Sequence, residues 1–176
     1  MLLVSFLGLG VFLVVLQTTL IQFTPEVLGR PDFVFLLVAF AAYRFAWLPG
    51  IVLTFTVSWI IDVLTSYYLG IYPLQCLLVF TCLKAATTNI PIKESVYQMP
   101  LVGISYFSMH VMVYGLTLVL VPETLPAWSW WRLLRETALL VVVAVPFFLL
   151  FNGLFEYLEK RAIRPRATRK QPARRR

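Results

Sequence analysis

Hydrophobic and polar residues fall in long blocks along this chain. Six apolar segments are separated by short polar or proline-containing stretches, at about 2–23, 33–48, 50–66, 69–86, 101–121 and 137–158. Several of them approach or exceed the roughly 20 apolar residues that a helix needs to cross the bilayer core. The pattern therefore predicts an all-α integral membrane protein with six transmembrane helices, which form one membrane domain over residues 1–160.

The second and third segments are short, and they meet at Pro49–Gly50. Because proline stops a preceding helix and glycine permits a tight turn, this pair predicts a helical hairpin. Such a hairpin either spans the membrane or re-enters on the side from which it came. Both versions leave the two chain termini on the same side.

The composition supports a membrane protein and argues against an ordinary soluble domain. The chain is 60% hydrophobic and 13% charged, so it has too little polar surface to cover a water-soluble globule. Two cysteines and one histidine give no metal-site spacing, and we expect neither a metal nor another cofactor. The first apolar segment has no basic start and no small-residue cleavage site after it, so we expect it to be retained as a helix.

The positions of lysine and arginine predict an orientation. If the C-terminus is cytoplasmic, six spans place the N-terminus in the cytoplasm as well. Arg44, Lys84, Lys93 and the cations of the C-terminal tail are then inside, and Arg30, Arg132 and Arg135 are outside. This asymmetry satisfies the positive-inside rule, and it predicts a multi-pass membrane protein with both termini in the cytoplasm.

The last segment, residues 161–176, is rich in cations and poor in large apolar side chains, which predicts a disordered cytoplasmic tail. Its cations either bind anionic lipid or a cytoplasmic partner, or serve only as a topology signal. They are Arg164, Arg166, Arg169, Lys170, Arg174, Arg175 and Arg176. We do not expect nucleic-acid binding, because the tail has no aromatic residues for base stacking.

An acidic residue, Asp62, interrupts the third apolar segment. A charged group at the centre of a transmembrane helix costs on the order of 3 kcal/mol, so Asp62 should face the bundle interior or water. Helical spacing joins it to other polar residues in one stripe, which comprises Thr54, Ser58, Asp62, Thr65 and Ser66. At about 18–20 Å from the Pro49–Gly50 turn, Asp62 should lie in the outer half of the membrane.

Several partners are open to Asp62. Gln17 should lie at a similar depth and could donate a hydrogen bond, Arg30 or Arg135 could form an ion pair at the outer edge, and His110 is a further candidate. The residue is therefore either a structural anchor between helices or part of a functional site.

A second acid, Asp32, follows Pro31 at the start of the second segment. Proline suits the first turn of a helix, and a carboxylate there offsets the positive end of the helix dipole, so we expect Asp32 to be structural. An intramembrane aspartyl protease needs two carboxylates in one site. Asp32 and Asp62 should lie about half a helix apart, so we expect no catalytic residues and no enzyme.

Four motifs occur in a fixed order with short gaps: LQTTL (16–20), PDFVFLLVAFAAYR (31–44), Pro49–Gly50 and DVLTSYYLGIYPL (62–74). Together they resemble the MreD family of bacterial rod-shape-determining membrane proteins. The stretch TFTVSW (54–59), which includes Ser58, stands where the family tends to have glycines. The matched positions are Gln17, Pro31, Asp32, Arg44, Gly50, Asp62 and Gly70.

The resemblance implies a non-enzymatic scaffold of the complex that elongates the cell wall. It implies an MreC-like single-span partner, an MreB-like actin filament, peptidoglycan synthases, and a fold similar to the substrate-binding S-components of energy-coupling-factor transporters. Two other functions stay open. One is a transporter subunit in which Gln17, Asp62 and the rest of the polar stripe line an outward pocket, and the other is a small intramembrane enzyme.

Overall fold

The computed structural model describes the backbone of residues 2–23, 32–65, 70–89, 95–120 and 129–167. Side chains are described for most of these residues, but not beyond Arg161. Within these ranges the chain forms six helices and no strands. They are α1 (Leu2–Phe23), α2 (Phe33–Arg44), α3 (Trp47–Thr65), α4 (Ile71–Asn89), α5 (Ser95–Leu120) and α6 (Trp130–Ala167).

Helix length and surface composition agree with a helical membrane protein. Among the described residues, four stretches are long and apolar enough to cross a membrane, namely Leu2–Thr19, Trp47–Thr65, Ile71–Thr88 and Trp130–Arg161. Large apolar side chains are exposed on α1, α3, α4, α5 and α6. An apolar surface of this extent suits contact with lipid tails better than contact with water.

The second helix differs from the other five in length and burial. The 12 residues of α2 extend over about 18 Å, which is less than the roughly 30 Å of a bilayer core. All residues from Phe33 to Ala42 are buried, and α2 contacts each of the other five helices. The predicted segment 33–48 is therefore too long, and α2 is the central helix of the core.

The turn between α2 and α3 lies at Phe45–Ala46, so its prediction at Pro49–Gly50 was wrong. α3 begins at Trp47, and the Gly50 N–H donates to the Ala46 carbonyl oxygen at 3.0 Å. Pro49 thus occupies the third position of α3. The N–H groups of the first turn have no partner within the helix, so proline removes no hydrogen bond there.

Gly50 permits close packing between α3 and α4. A Cβ atom at this position would overlap the ring of Phe80, which is fully buried on α4. Gly10 has the same role at the crossing of α1 and α3, where a Cβ atom would meet Val57. Small residues at the crossings of membrane helices typically allow the helices to approach this closely.

The last helix is longer than predicted at both ends. α6 has 38 residues, or about 57 Å, against a predicted span of 137–158. Residues 161–167, which were assigned to a disordered tail, are helical. Arg164 and Arg166 lie in this extension, although their side chains are outside the described part of the chain, and residues 168–176 lie outside it altogether.

We expect Gly50→Ala to destabilise the protein by about 1–3 kcal/mol, because the buried Phe80 ring has no room to move away from the added methyl group. The measurement is the midpoint of thermal unfolding in detergent, followed by tryptophan fluorescence. Gly8→Ala is the matched control, since a Cβ atom at Gly8 meets nothing within 4 Å. Equal midpoints for both variants would show that the contact is not tight.

Candidate functional site

Polar side chains from four helices collect at one end of the bundle, which we call the carboxylate end. It contains Gln17 of α1, Asp32 at the start of α2, Asp62 near the end of α3, and Gly70 and Tyr72 at the start of α4. Sequence reasoning placed Gln17, Asp32 and Asp62 toward one side of the membrane. The structure agrees in grouping them, but it pairs them differently.

Asp32 lies at the start of α2, as predicted, and it is the N-cap of the helix. Its backbone is extended, with φ −90° and ψ 93°, and its Oδ1 accepts a hydrogen bond from the Phe35 N–H at 2.9 Å. This is the usual geometry of an N-cap, in which the side chain satisfies one of the free N–H groups of the first turn. The negative charge also lies at the positive end of the helix dipole.

Asp32 also joins α2 to α1 and α4. Its Oδ1 accepts from Gln17 Nε2 at 3.3 Å, and its Oδ2 accepts from the Tyr72 hydroxyl at 2.7 Å. Gln17 Oε1 in turn accepts from the Val34 N–H at 3.2 Å. Gln17 therefore pairs with Asp32 and the start of α2, whereas the sequence suggested Asp62 as its partner.

Sequence reasoning missed Tyr72 as a site residue. It lies within the motif DVLTSYYLGIYPL (62–74), two residues after Gly70. A tyrosine just inside an apolar segment indicates a buried polar contact, because a buried hydroxyl requires a hydrogen-bond partner. The sequence could not identify that partner, since Asp32 is 40 residues away along the chain.

Asp62 links the end of α3 to the start of α4 by a hydrogen bond. The residue is 1% exposed, and its Oδ2 accepts a hydrogen bond from the Gly70 N–H at 2.6 Å. Gly70 has φ +96°, a conformation that glycine adopts without strain, and its carbonyl oxygen accepts from Leu74 at 3.3 Å. The carboxylate therefore lies at the N-terminal end of α4, where the helix dipole favours a negative charge.

The other oxygen of Asp62 is unsatisfied. Oδ1 is buried and has no hydrogen-bond partner among the described residues. Of the proposed partners, Arg30 lies outside the described residues, and His110 Nδ1 is 3.2 Å from the Tyr106 carbonyl oxygen. Arg135 makes no recorded hydrogen bond or ion pair with Asp62. Asp62 is thus a structural anchor through one oxygen, and its second oxygen remains available.

The predicted polar stripe of α3 is buried over two turns. Thr54, Ser58 and Asp62 are 0–1% exposed. Ser58 Oγ donates within its own helix, to the Thr54 carbonyl oxygen at 2.6 Å, and the Thr54 hydroxyl has no partner among the described residues. Thr65 is exposed, so its assignment to the buried face was wrong, and Ser66 lies outside the described residues.

Cations lie at the opposite end, which we call the basic end. Arg44 Nη2 donates to Asn152 Oδ1, and the Arg44 guanidinium lies 5.6 Å from the centre of the Phe155 ring. Lys84 Nζ donates to the Phe45 carbonyl oxygen at 2.6 Å, which satisfies the C-terminal end of α2. The two cations that were placed together on the cytoplasmic side thus share one end of the bundle.

Six of the seven positions matched to the MreD family belong to the described chain, and Pro31 lies outside it. Gln17, Asp32, Asp62 and Gly70 meet at the carboxylate end, Gly50 packs against α4, and Arg44 lies at the basic end. Among the described residues no group of three or more His, Cys, Asp or Glu could hold a metal ion. No protein-family model matches this chain, and neither a curated protein nor a solved structure is detectably similar to it.

We expect Tyr72→Phe to lower the free energy of unfolding by about 1.5–3 kcal/mol, because it removes a hydrogen bond to the charged Asp32. Thermal unfolding in detergent measures the change. Tyr43→Phe is the matched control: the Tyr43 hydroxyl is buried and has no partner in the described part of the chain, so its loss should be neutral or stabilising. A destabilisation of similar size in both variants would contradict the role of the Tyr72–Asp32 bond.

We expect Asp62→Asn to be milder than Asp62→Leu, because asparagine keeps a side-chain oxygen that can accept from the Gly70 N–H. Both variants can be compared by folded yield in detergent and by complementation of a strain that lacks the protein. Complete and equal loss of complementation, with both variants folded, would show instead that the negative charge of Asp62 is required.

Proposed function

We propose that this protein is a non-enzymatic membrane scaffold of the bacterial cell-elongation complex, similar to MreD. In this role it links an MreC-like single-span protein to an MreB-like actin filament and to peptidoglycan synthases in the inner membrane. The resemblance of residues 16–75 to MreD is the basis for these partners.

One observation carries the proposal. Two pairs of positions that the resemblance selects are hydrogen-bonded: Gln17 to Asp32, which lie in separate motifs, and Asp62 to Gly70, which lie at the two ends of one connection. A chance resemblance gives no reason for residues 15 and 8 positions apart to meet in this way. The contacts join α1 to α2 and α3 to α4, so the shared motif supports the packing of the four N-terminal helices.

The proposed architecture has six crossings, with both termini in the cytoplasm and a fold similar to transporter S-components. α2 is short, but Asp32 bonds to residues of the carboxylate end and Arg44 to a residue of the basic end. Its neighbours shield it from lipid, so it need not match the bilayer thickness. The basic tail would then contact anionic lipid or a cytoplasmic partner.

A packed interior favours a scaffold over a catalyst or a carrier. Both oxygens of Asp32 are used in contacts between helices, and the Ser58 hydroxyl is satisfied within α3. Asp32 and Ser58 are therefore engaged in contacts that stabilise the bundle. Recognition of partners would then depend on the outer faces of the helices and on the loops.

A second candidate is the substrate-binding subunit of a small-molecule transporter. It is favoured by the buried Asp62 Oδ1 and Thr54 Oγ1, which lie on one stripe and have no partner among the described residues. Buried polar atoms are normally satisfied, and a polar ligand could supply the missing hydrogen bonds. Such a subunit would require an ATPase module as its partner.

We expect depletion of this protein in a rod-shaped host to produce rounded cells, because elongation would be uncoupled from the filament. Microscopy of cell width during depletion measures this, and re-expression of the wild-type chain is the control. Cells that stay rod-shaped after complete depletion would refute the scaffold role. Affinity purification from membranes then separates the candidates, since a scaffold should retain an MreC-like protein and a transporter subunit an ATPase.

A further inference from the structure

Arg135 on α6 has one guanidinium donor without an acceptor among the described residues. Its Nε is buried and has no hydrogen-bond partner, and no ion pair joins Arg135 to any residue that the structure describes. Its neighbour Arg132 differs, since Arg132 Nε lies 3.0 Å from Glu136 Oε1. A buried cationic donor without an acceptor is costly, so Arg135 points to an anionic group from outside the described chain.

The side chain of Arg135 lines a surface cavity of about 290 Å³. The other lining residues are Trp131, Leu134 and Ala138, which lie on the same face of α6. Further along α6, Val142 is 71% exposed and continues the apolar surface. The cavity therefore offers one cationic donor next to an apolar strip that runs along the helix.

The position of the cavity along α6 corresponds to the lipid headgroup layer. From Thr137 to Phe155 the helix carries no Asp, Glu, Lys or Arg, and this stretch is about 28 Å long, close to the roughly 30 Å of a bilayer core. Arg135 lies just beyond its end. Trp130 and Trp131 are exposed beside it, as is typical of tryptophan in the headgroup layer.

We propose that this cavity is a phospholipid-binding site. The lipid phosphate accepts hydrogen bonds from Arg135, and an acyl chain lies along Leu134, Ala138 and Val142. Guanidinium groups bind phosphate oxygens well because their planar N–H donors match the oxygen geometry. Among the described residues Glu136 pairs with Arg132 and no acidic side chain pairs with Arg135, so the site prefers an anionic phospholipid to a zwitterionic one.

A phospholipid explains the cavity better than an acidic residue of another protein. A carboxylate from another protein would bind Arg135 but would not cover the apolar strip. A phospholipid would do both, because its phosphate lies at the depth of Arg135 and its acyl chain lies at the depth of the strip. The proposal rests on α6 crossing the membrane and does not depend on the scaffold role, so either can fail without the other.

The test compares lipid binding by the full-length chain and two variants in detergent. Phosphatidylglycerol and phosphatidylcholine are titrated separately, and bound lipid is measured by native mass spectrometry. We expect Arg135→Gln to weaken phosphatidylglycerol binding about tenfold, equivalent to roughly 1.4 kcal/mol. Arg132→Gln removes the same charge three residues away, and we expect it to change binding less than about twofold.

Circular dichroism and size-exclusion chromatography establish that the variants fold. If Arg135→Gln does not fold, Arg135→Lys replaces it, and we expect a clear loss of phosphatidylglycerol binding, because lysine keeps the charge but lacks the planar set of guanidinium donors. Unchanged lipid binding in the folded variant would overturn the proposal. It would also be overturned if the variant lost a co-purifying acidic protein while its lipid binding stayed the same.

Discussion

The carboxylate of Asp32 is the contact on which the rest of the bundle depends. α2 is short and central, and in an apolar surrounding every free N–H at its start needs an acceptor. Asp32 and Gln17 supply two of these acceptors, to Phe35 and Val34, and Tyr72 binds the other oxygen of Asp32. A single carboxylate therefore stabilises α2 and fixes α1 and α4 around it.

The C-terminal end of α2 is stabilised by hydrogen bonds from cationic side chains. Lys84 donates to the carbonyl oxygen of Phe45, and Arg44 bonds to Asn152 of α6. A carboxylate at the N-terminus and cations at the C-terminus both complement the helix dipole. The buried helix is thus held at both ends by groups from neighbouring helices, an arrangement that suits a rigid framework for binding other proteins.

Asp62 and Arg135 contrast with Asp32 in how far their hydrogen-bonding capacity is used. Asp32 is satisfied through both oxygens, whereas Asp62 Oδ1 and Arg135 Nε are buried without a partner among the described residues. Unsatisfied buried groups are rare in native proteins because each costs free energy. Asp62 lies inside the bundle and Arg135 on its surface, so we expect the lipid-facing residue to be the one that reaches an external ligand.

The sequence by itself determined the helical class, the limits of α1, the carboxylate at the start of α2 and the buried stripe through Ser58 and Asp62, because these follow from local patterns of polarity. Only the tertiary structure decided the hydrogen-bond partners, since Tyr72 meets Asp32 and Arg44 meets Asn152 across long separations in the chain. It also placed the connection between α2 and α3 at Phe45–Ala46, instead of the predicted Pro49–Gly50. A proline is tolerated early in a helix, so Pro49 does not by itself mark where α3 starts.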